Sequence, residues 1–185
     1  MAHIFDPKVL QAIAKSHVGL PHEEMVRAIS RDLAKAYPGH IETKEDWILS
    51  VCGGVMGIMT VLHGSLSEYV LIYGTPIGTE GFSGRYRVDI YDIVLSGEMW
   101  TYTEENFRKR EITLPGEMAY LRKRQAKGVK IFEDCWMLEY GRGPIPTTLP
   151  FALSGALVSL EAKSILKTMW IYGRLVFKEL LRGKI

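Results

Sequence analysis

The feature that most constrains the fold is the dense spacing of glycine in the middle of the chain. Between residues 53 and 84, glycines separate short runs that are rich in valine, isoleucine, tyrosine and threonine. Glycine at this density suits tight turns and close approach of neighbouring backbones in an all-β unit. The pattern predicts a barrel or sandwich of short strands. The candidate strands are residues 67–73, 85–95, 99–103, 110–114 and 129–140.

Helical patterns precede and follow this β-rich middle. Asp6 and Pro7 form an N-cap signature, and apolar residues then recur at helical spacing until Gly19. Residues 21–37 repeat the pattern before Pro38. We therefore predict one α+β domain, residues 1–185, with N-terminal helices at about 6–37, a β-barrel at about 47–149 and C-terminal helices at about 150–182.

Composition excludes several functional classes. Lys+Arg 23 and Asp+Glu 21 give a net charge of +2, which indicates no nucleic-acid partner. The two cysteines, Cys52 and Cys135, support neither a disulfide framework nor a zinc motif. The five histidines form no close pair of ligand type along the sequence. We therefore expect no metal site.

The sequence predicts no membrane-spanning segment. Residues 1–7 lack the basic start and apolar core of a signal peptide, and the uncharged stretch at residues 143–160 contains three prolines. Beyond it, cations flank a broad apolar surface that includes Trp170 and Tyr172. This pattern is typical of a helix lying in a membrane interface. A helix packed on the barrel or on a neighbouring subunit fits the same pattern.

A run of basic residues after residue 121 is consistent with two roles. Such runs form solvated faces in most proteins, and they also bind anionic lipid headgroups. The run consists of Arg122, Lys123, Arg124, Lys127 and Lys130.

Two carboxylates fall on strand faces that are otherwise apolar. In residues 85–95, alternation places Asp92 with Val88, Ile90 and Val94, and in 131–140 it places Glu139 with Cys135 and Met137. A buried carboxylate needs a cation, a hydrogen bond or a shared proton, and its pKa tends to rise. Two of them in one pocket would suit proton transfer or cation binding. The alternative is a salt bridge from each to an arginine, such as Arg85 or Arg142.

Four ungapped stretches resemble the sterol C-8 isomerase and sigma-1 receptor family. Two are short and rich in glycine: residues 53–57, Gly-Gly-Val-Met-Gly, and residues 74–81, Gly-Thr-Pro-Ile-Gly-Thr-Glu-Gly. Residues 62–71 read Leu-His-Gly-Ser-Leu-Ser-Glu-Tyr-Val-Leu, and residues 137–149 contain Glu-Tyr-Gly-Arg-Gly-Pro. Several long motifs in the same order form a specific signal, and the resemblance covers nearly the whole chain.

The resemblance implies a cupin-like β-barrel whose interior is the ligand pocket. It also implies that two C-terminal helices, which rest on a membrane, close the pocket and that the subunits form a homotrimer. Glu139 matches a glutamate that pairs with a cationic amine, Asp92 an aspartate that hydrogen-bonds it, and Tyr69 a tyrosine that supports it. Ordinary core packing is the alternative role for the matched pocket positions. These are Met59, Leu71, Tyr73, Thr148, Leu149, Phe151, Ala152 and Tyr172.

The function that we expect is a shift of a ring double bond in a sterol-like lipid, by proton transfer through a carbocation. Asp92 and Glu139 would share one proton, donating at one carbon and accepting at another. The reaction is redox-neutral, so no cofactor is expected. The same pocket would bind cationic amphiphilic amines. A receptor-like protein that binds such ligands without turnover is the second hypothesis, and a lipid-interacting scaffold is the third.

The chain also departs from the family pattern. The resemblance begins at Phe5-Asp6-Pro7, and we expect either a natural form without the family's N-terminal membrane anchor or a shortened chain. Phe82 replaces a usual histidine, and Val55 replaces a tryptophan of the receptor. Glu-Tyr-Gly-Arg-Gly resembles the receptors, whereas Gly-Thr-Glu-Gly and Phe-Asp-Pro resemble the isomerases. We expect a peripheral membrane protein, in the endoplasmic reticulum if the source is eukaryotic.

Overall fold

Two antiparallel β-sheets form the interior of the protein, which a computed structural model describes over residues 3–184. The larger sheet has the strand order β1-β2-β3-β10-β5-β8, and the smaller has the order β4-β9-β6-β7. The strands are β1 (Ile48–Cys52), β2 (Val55–Gly64), β3 (Glu68–Thr75), β4 (Thr79–Phe82), β5 (Asp89–Ser96), β6 (Met99–Thr103), β7 (Glu111–Thr113), β8 (Met118–Leu121), β9 (Lys127–Ile131) and β10 (Cys135–Arg142).

Helices lie before and after the sheets, which confirms the predicted α+β class. They are α1 (Pro7–Lys15), α2 (His22–Ala36), α3 (Leu149–Ala152), α4 (Ser154–Val158) and α5 (Ala162–Leu180), with a 3-10 turn at Ile145–Thr148. The Asp6 side chain caps α1 by accepting a hydrogen bond from the Lys8 backbone N–H at 2.7 Å. Leu10 of α1 and Leu33 of α2 are fully buried in one core with the larger sheet.

Strand β10 separates this core from the space between the sheets. Trp136, Leu138 and Tyr140 pack in the helix-covered core. Met137 belongs to a second apolar cluster, and it lines an internal cavity together with Glu139. Period-two alternation thus places the carboxylate of Glu139 on the inner face of the barrel.

Two predicted strands have the wrong limits. The strand predicted at residues 129–140 is two strands, because the chain turns at 132–134, where Asp134 has φ 51°, and passes from the smaller sheet to the larger one. The strand predicted at 85–95 begins only at Asp89, where its pairing with Arg142 of β10 starts.

Strands β1, β2, β4 and β8 were not predicted. Strands β1 and β2 form a hairpin at Gly53 and Gly54, whose φ angles are 59° and 87°. A Cβ atom on Gly53 would lie 2.1 Å from the Phe82 carbonyl oxygen, so the close approach of β4 also requires glycine there. The second half of β2 is buried on both faces, and its apolar residues therefore do not alternate.

Helix α5 packs one face against the barrel and exposes the other. Ile171 and Leu175 are buried with Ile48 of β1, whereas Trp170 and Phe177 are 72% and 63% exposed. Within residues 3–184, none of the helices is both long enough and apolar enough to cross a bilayer.

Glu68 joins both ends of the described chain to β3. Its fully buried carboxylate accepts hydrogen bonds from the backbone N–H of Ile4 at 2.9 Å and from the Tyr140 hydroxyl at 2.7 Å. It also forms an ion pair with Lys184 at 2.8 Å. Burial alone would raise the pKa of Glu68, but the hydrogen bonds from Lys184, Ile4, Tyr140 and Phe5 outweigh it, and the pKa is lowered.

We predict that Glu68→Gln lowers the free energy of unfolding by about 3 kcal/mol at neutral pH, because the amide leaves a buried cation and buried donors poorly compensated. Chemical denaturation measures this loss. The pKa of Glu68 is lowered in the folded state, so its contribution is present above pH 4.5 and lost as the pH falls through the lower folded value. The difference between variant and wild type should therefore shrink in acid.

Glu104→Gln is the matched control, because Glu104 forms an ion pair with Arg85 that is exposed to solvent. We expect a change below about 1 kcal/mol for this control. An equally small loss in Glu68→Gln would contradict the proposed role of Glu68 as a tie between the chain ends.

Candidate functional site

An apolar cavity of about 210 Å³ lies between the two sheets. The segment that follows β10 closes one side, and Thr168 and Tyr172 of α5 contribute to the lining. All the positions predicted to bind ligand line this cavity, although their roles remain predictions. They are Tyr69, Met59, Leu71, Tyr73, Thr148, Leu149, Phe151, Ala152 and Tyr172.

Asp92 and Glu139 lie side by side on the cavity wall. They are directly opposed in the antiparallel register of β5 and β10, so their side chains share one face of the sheet. Asp92 is 4% exposed, and Glu139 is partly buried because it borders the cavity. The structure thus brings together the two carboxylates that strand alternation identified.

Tyr69 of β3 is the hydrogen-bond partner of Glu139. Its hydroxyl donates to Glu139 Oε1 at 2.6 Å. The Tyr69 ring lies over Gly141, where an added Cβ atom would come within 2.2 Å of the ring. Glycine at this position of β10 therefore allows the phenol to reach the carboxyl group.

Lys127 is the functional residue that the sequence interpretation missed. Its ammonium group pairs with Asp92 Oδ2, and both side chains are more than nine-tenths buried. The idea that Lys127 belongs to a solvated basic face is therefore wrong. Alternation along β9 could have found it, because Lys127, Val129 and Ile131 all line the cavity.

The alternative, in which each carboxylate forms a salt bridge to an arginine such as Arg85 or Arg142, is not found among the described residues. Arg85 pairs with Glu104 at 2.7 Å, and Arg142 lies 3.7 Å from Asp89. Among the described residues, no hydrogen bond joins Asp92 directly to Glu139, since Asp92 bonds to Lys127 and Glu139 to Tyr69. The shared proton remains a prediction.

The environment of Glu139 favours its neutral form. Burial and the negative charge of Asp92 raise its pKa from 4.5 to about 7, while the Tyr69 hydrogen bond and the Lys127 charge lower it by less. Burial and Glu139 also raise the pKa of Tyr69 well above 10, so its phenol stays a neutral donor. Near neutral pH the cavity therefore contains a carboxyl group that can give or take a proton.

Tyr73 and Cys52 also border the cavity. The Tyr73 hydroxyl is buried with no hydrogen-bond partner in the described part of the chain, so it is available to a polar group of a ligand. Burial raises the pKa of Cys52 to about 11, which keeps the thiol neutral. Neither group adds a charge near Glu139.

The histidines form no close pair of ligand type along the sequence, but the fold brings some of them together. Away from the cavity, the fold brings His40, His63 and Glu179 into one cluster.

A β-barrel that holds two carboxyl groups in an apolar cavity has the architecture of a ligand-binding protein. Similarity to known proteins identifies the family to which the chain belongs. Residues 1–184 match the family described as ERG2 and Sigma1 receptor like protein. The chain belongs to this family, which confirms the resemblance found in the sequence. The family includes both C-8 sterol isomerases and sigma-1 receptors.

Three relatives illustrate the two branches. The chain is 42% identical to the protein erg2 homolog of Dictyostelium discoideum, over 97% of this chain and 78% of the relative. It is 43% identical to sigma non-opioid intracellular receptor 1 of Gallus gallus, over 85% of this chain and 71% of the relative. It is 36% identical to C-8 sterol isomerase ERG2 of Gibberella zeae, over 99% and 79% of the two chains.

Two solved structures show partial similarity. KdgF from Halomonas sp. has a TM-score of 0.45 and 17% identity, covering 57% of this chain and 93% of that chain. An RmlC-like cupin from Shewanella frigidimarina has a TM-score of 0.44 and 15% identity, covering 55% and 85%.

Two substitutions should move the pKa of Glu139 in opposite directions. Asp92→Asn should lower it from about 7, because the neighbouring negative charge is removed. Tyr69→Phe should raise it, because the carboxylate loses a hydrogen-bond donor. Carbon-13 NMR of labelled glutamate side chains measures both titrations, and Glu139→Gln assigns the signal. An unchanged midpoint in both variants would refute this account of the site.

Proposed function

We propose that this protein is a C-8 sterol isomerase-like enzyme that moves a ring double bond of a sterol-like lipid. The observation that carries the proposal is the partly buried Glu139 carboxyl, whose pKa is raised to about 7 on the wall of an apolar cavity. Such a group is protonated often enough at neutral pH to act as a general acid. Relatives named erg2 homolog and C-8 sterol isomerase support the assignment.

In the proposed reaction, neutral Glu139 donates its proton to one carbon of the double bond. The electron pair of the alkene forms the new C–H bond, and positive charge develops on the other carbon. One carboxylate of the Asp92 and Glu139 pair then removes a proton from the adjacent carbon, and those electrons form the new double bond. The pair ends with one proton, as it began, so the step needs no electron donor or acceptor.

Lys127 acts in this proposal as a positioning residue. Its ion pair with Asp92 holds the second carboxylate against the cavity wall. The negative charge of Asp92 raises the pKa of Glu139. The same charge would stabilise the developing cation, because charges are poorly screened in an apolar cavity. The same arrangement would bind a cationic amphiphilic amine, which resembles the intermediate in charge.

Receptor-like binding without turnover is the second candidate, and the relatives named sigma receptor favour it. Binding a cation requires ionised Glu139, whereas protonating an alkene requires neutral Glu139. The two functions therefore use opposite protonation states of one residue.

We predict that Glu139→Gln abolishes both sterol isomerisation and amine binding, because the amide supplies neither an acidic proton nor a charge. Purified protein is incubated with a sterol that carries the starting double bond, and product is followed by mass spectrometry. Glu133→Gln, in the exposed turn before β10, is the control and should behave as wild type. Wild-type turnover in Glu139→Gln would eliminate Glu139 as the acid, and absence of turnover in the wild type would leave the receptor-like function.

The pH profiles of the two activities should be opposite. Turnover should decline as the pH rises through about 7, because Glu139 loses the proton that it donates. Binding of a permanently charged quaternary amine should weaken as the pH falls through about 7, because Glu139 becomes neutral. Isothermal titration calorimetry gives the second profile without any titration of the ligand. A flat binding profile between pH 5 and 8 would contradict the role of Glu139 as the cation partner.

Peripheral attachment to a membrane completes the proposal. Leu166, Trp170, Phe177 and Leu181 are exposed and lie along one side of α5 and its C-terminal end. Tyr172 and Thr168 of the same helix line the cavity, so an apolar ligand could pass from the bilayer into the barrel. Assembly as a homotrimer is proposed from the family resemblance.

We expect the protein to co-sediment with lipid vesicles, and the double substitution of Trp170 and Phe177 by Glu to release it, because charges on this face oppose insertion. Replacing Tyr102 and Phe107 by Glu is the matched control. Both aromatic residues are exposed, and they lie away from α5, Tyr102 in β6 of the smaller sheet and Phe107 in the segment between β6 and β7. If the wild type stays in the supernatant at low salt, α5 faces protein instead. Equal loss of binding in both double variants would also contradict the proposal.

A further inference from the structure

A second cluster of ligand-type side chains lies outside the cavity, where three separate parts of the chain meet. His40 belongs to the segment between α2 and β1, His63 to β2, and Glu179 to α5. Each offers a ligand atom within 4.8 Å of those of the other two. His63 and Glu179 are 1% and 2% exposed, and His40 is partly exposed. The cluster lies where the C-terminal helix contacts the barrel.

The hydrogen bonds of His63 identify its free nitrogen. Nδ1 of His63 lies 2.8 Å from the His40 carbonyl oxygen, which can only accept, so Nδ1 carries the proton. Nε2 then keeps its lone pair, and it is buried with no hydrogen-bond partner within residues 3–184. A backbone carbonyl that fixes the tautomer in this way is a common companion of metal-ligating histidine.

The other two side chains also have atoms suited to coordination. His40 Nδ1 lies 2.7 Å from Glu179 Oε2, a contact that a metal could replace with one bond to each. Arg182 lies 3.3 Å from the other oxygen, Oε1, and so leaves Oε2 to the cluster. Ligand atoms around tetrahedral zinc are about 3.3 Å apart. The three ligand atoms of the cluster lie within 4.8 Å of one another, so metal binding requires the side chains to move closer together.

We propose that His40, His63 and Glu179 form a binding site for a borderline divalent cation, with Zn²⁺ as the preferred ion. Two imidazoles and one carboxylate suit Zn²⁺, whereas Mg²⁺ and Ca²⁺ prefer all-oxygen sites. Bound metal joins α5 to β2 and to the segment before β1. Because α5 also contributes Tyr172 to the cavity lining, the metal stabilises the closed side of the cavity. The site is separate from the Glu139 chemistry, and it stands or fails independently of the proposed function.

The test uses full-length protein without a histidine tag, dialysed against EDTA and titrated with ZnCl₂ by isothermal titration calorimetry. We expect one saturable site and a higher unfolding temperature with Zn²⁺. Glu179→Gln and His40→Gln should each weaken Zn²⁺ binding by at least about tenfold, as expected when a ligand is lost. His17→Gln is the matched control, because His17 pairs with Asp32 at 2.8 Å and, among residues 3–184, belongs to no group of three ligand-type side chains. The Zn²⁺ affinity of this variant should equal that of the wild type.

Substitution of the buried His63 can disturb folding, so Glu179→Gln and His40→Gln decide the outcome. Circular dichroism checks that both variants fold. Excess Mg²⁺ should not compete. Absence of saturable Zn²⁺ binding in the wild type, unchanged affinity in Glu179→Gln and His40→Gln, or equal loss in His17→Gln would each overturn the proposal.

Discussion

The site depends on one constraint: two carboxyl groups share the wall of an apolar cavity that contains a single partner cation, Lys127, among the described lining residues. Asp92 takes that cation, and Glu139 is left with a phenol. Raising the pKa of Glu139 from 4.5 to about 7 means that the fold disfavours its ionised form by roughly 3 kcal/mol. A cationic ligand, or a cationic intermediate, would relieve this penalty. The proposed affinity for positive charge and the proposed proton donation thus have one physical origin.

The barrel keeps two carboxyl groups beside one cation by placing the carboxyl groups and the cation on different sheets. Asp92 and Glu139 lie on neighbouring strands of the larger sheet, whereas Lys127 reaches Asp92 from β9 of the smaller sheet. The ion pair therefore connects the two walls of the cavity and fixes which carboxylate is paired. On the outer face of the larger sheet, α1 and α2 cover the apolar side chains of β10. This packing determines which residues of the strand face inward.

The central pair could be predicted from the sequence because strand alternation is local. Asp92 and Glu139 each interrupt an apolar face, and the prediction survived an error in the limits of both strands, since the phase near each carboxylate was right. Lys127 was missed because it lies among other basic residues, where a solvated face is the usual outcome. Its pairing with Asp92 depends on how the two sheets stack, which no local pattern records. The cluster of His40, His63 and Glu179 was missed for the same reason, because its members come from three distant parts of the chain.

The most direct test of the account is isomerisation in heavy water. If Glu139 delivers the proton, its carboxyl exchanges with solvent between turnovers, and the product sterol should gain one deuterium on a ring carbon, seen by mass spectrometry as an increase of one mass unit. Glu139→Gln should give no product. Product formed without deuterium would contradict the central claim that a solvent-exchangeable carboxyl protonates the double bond.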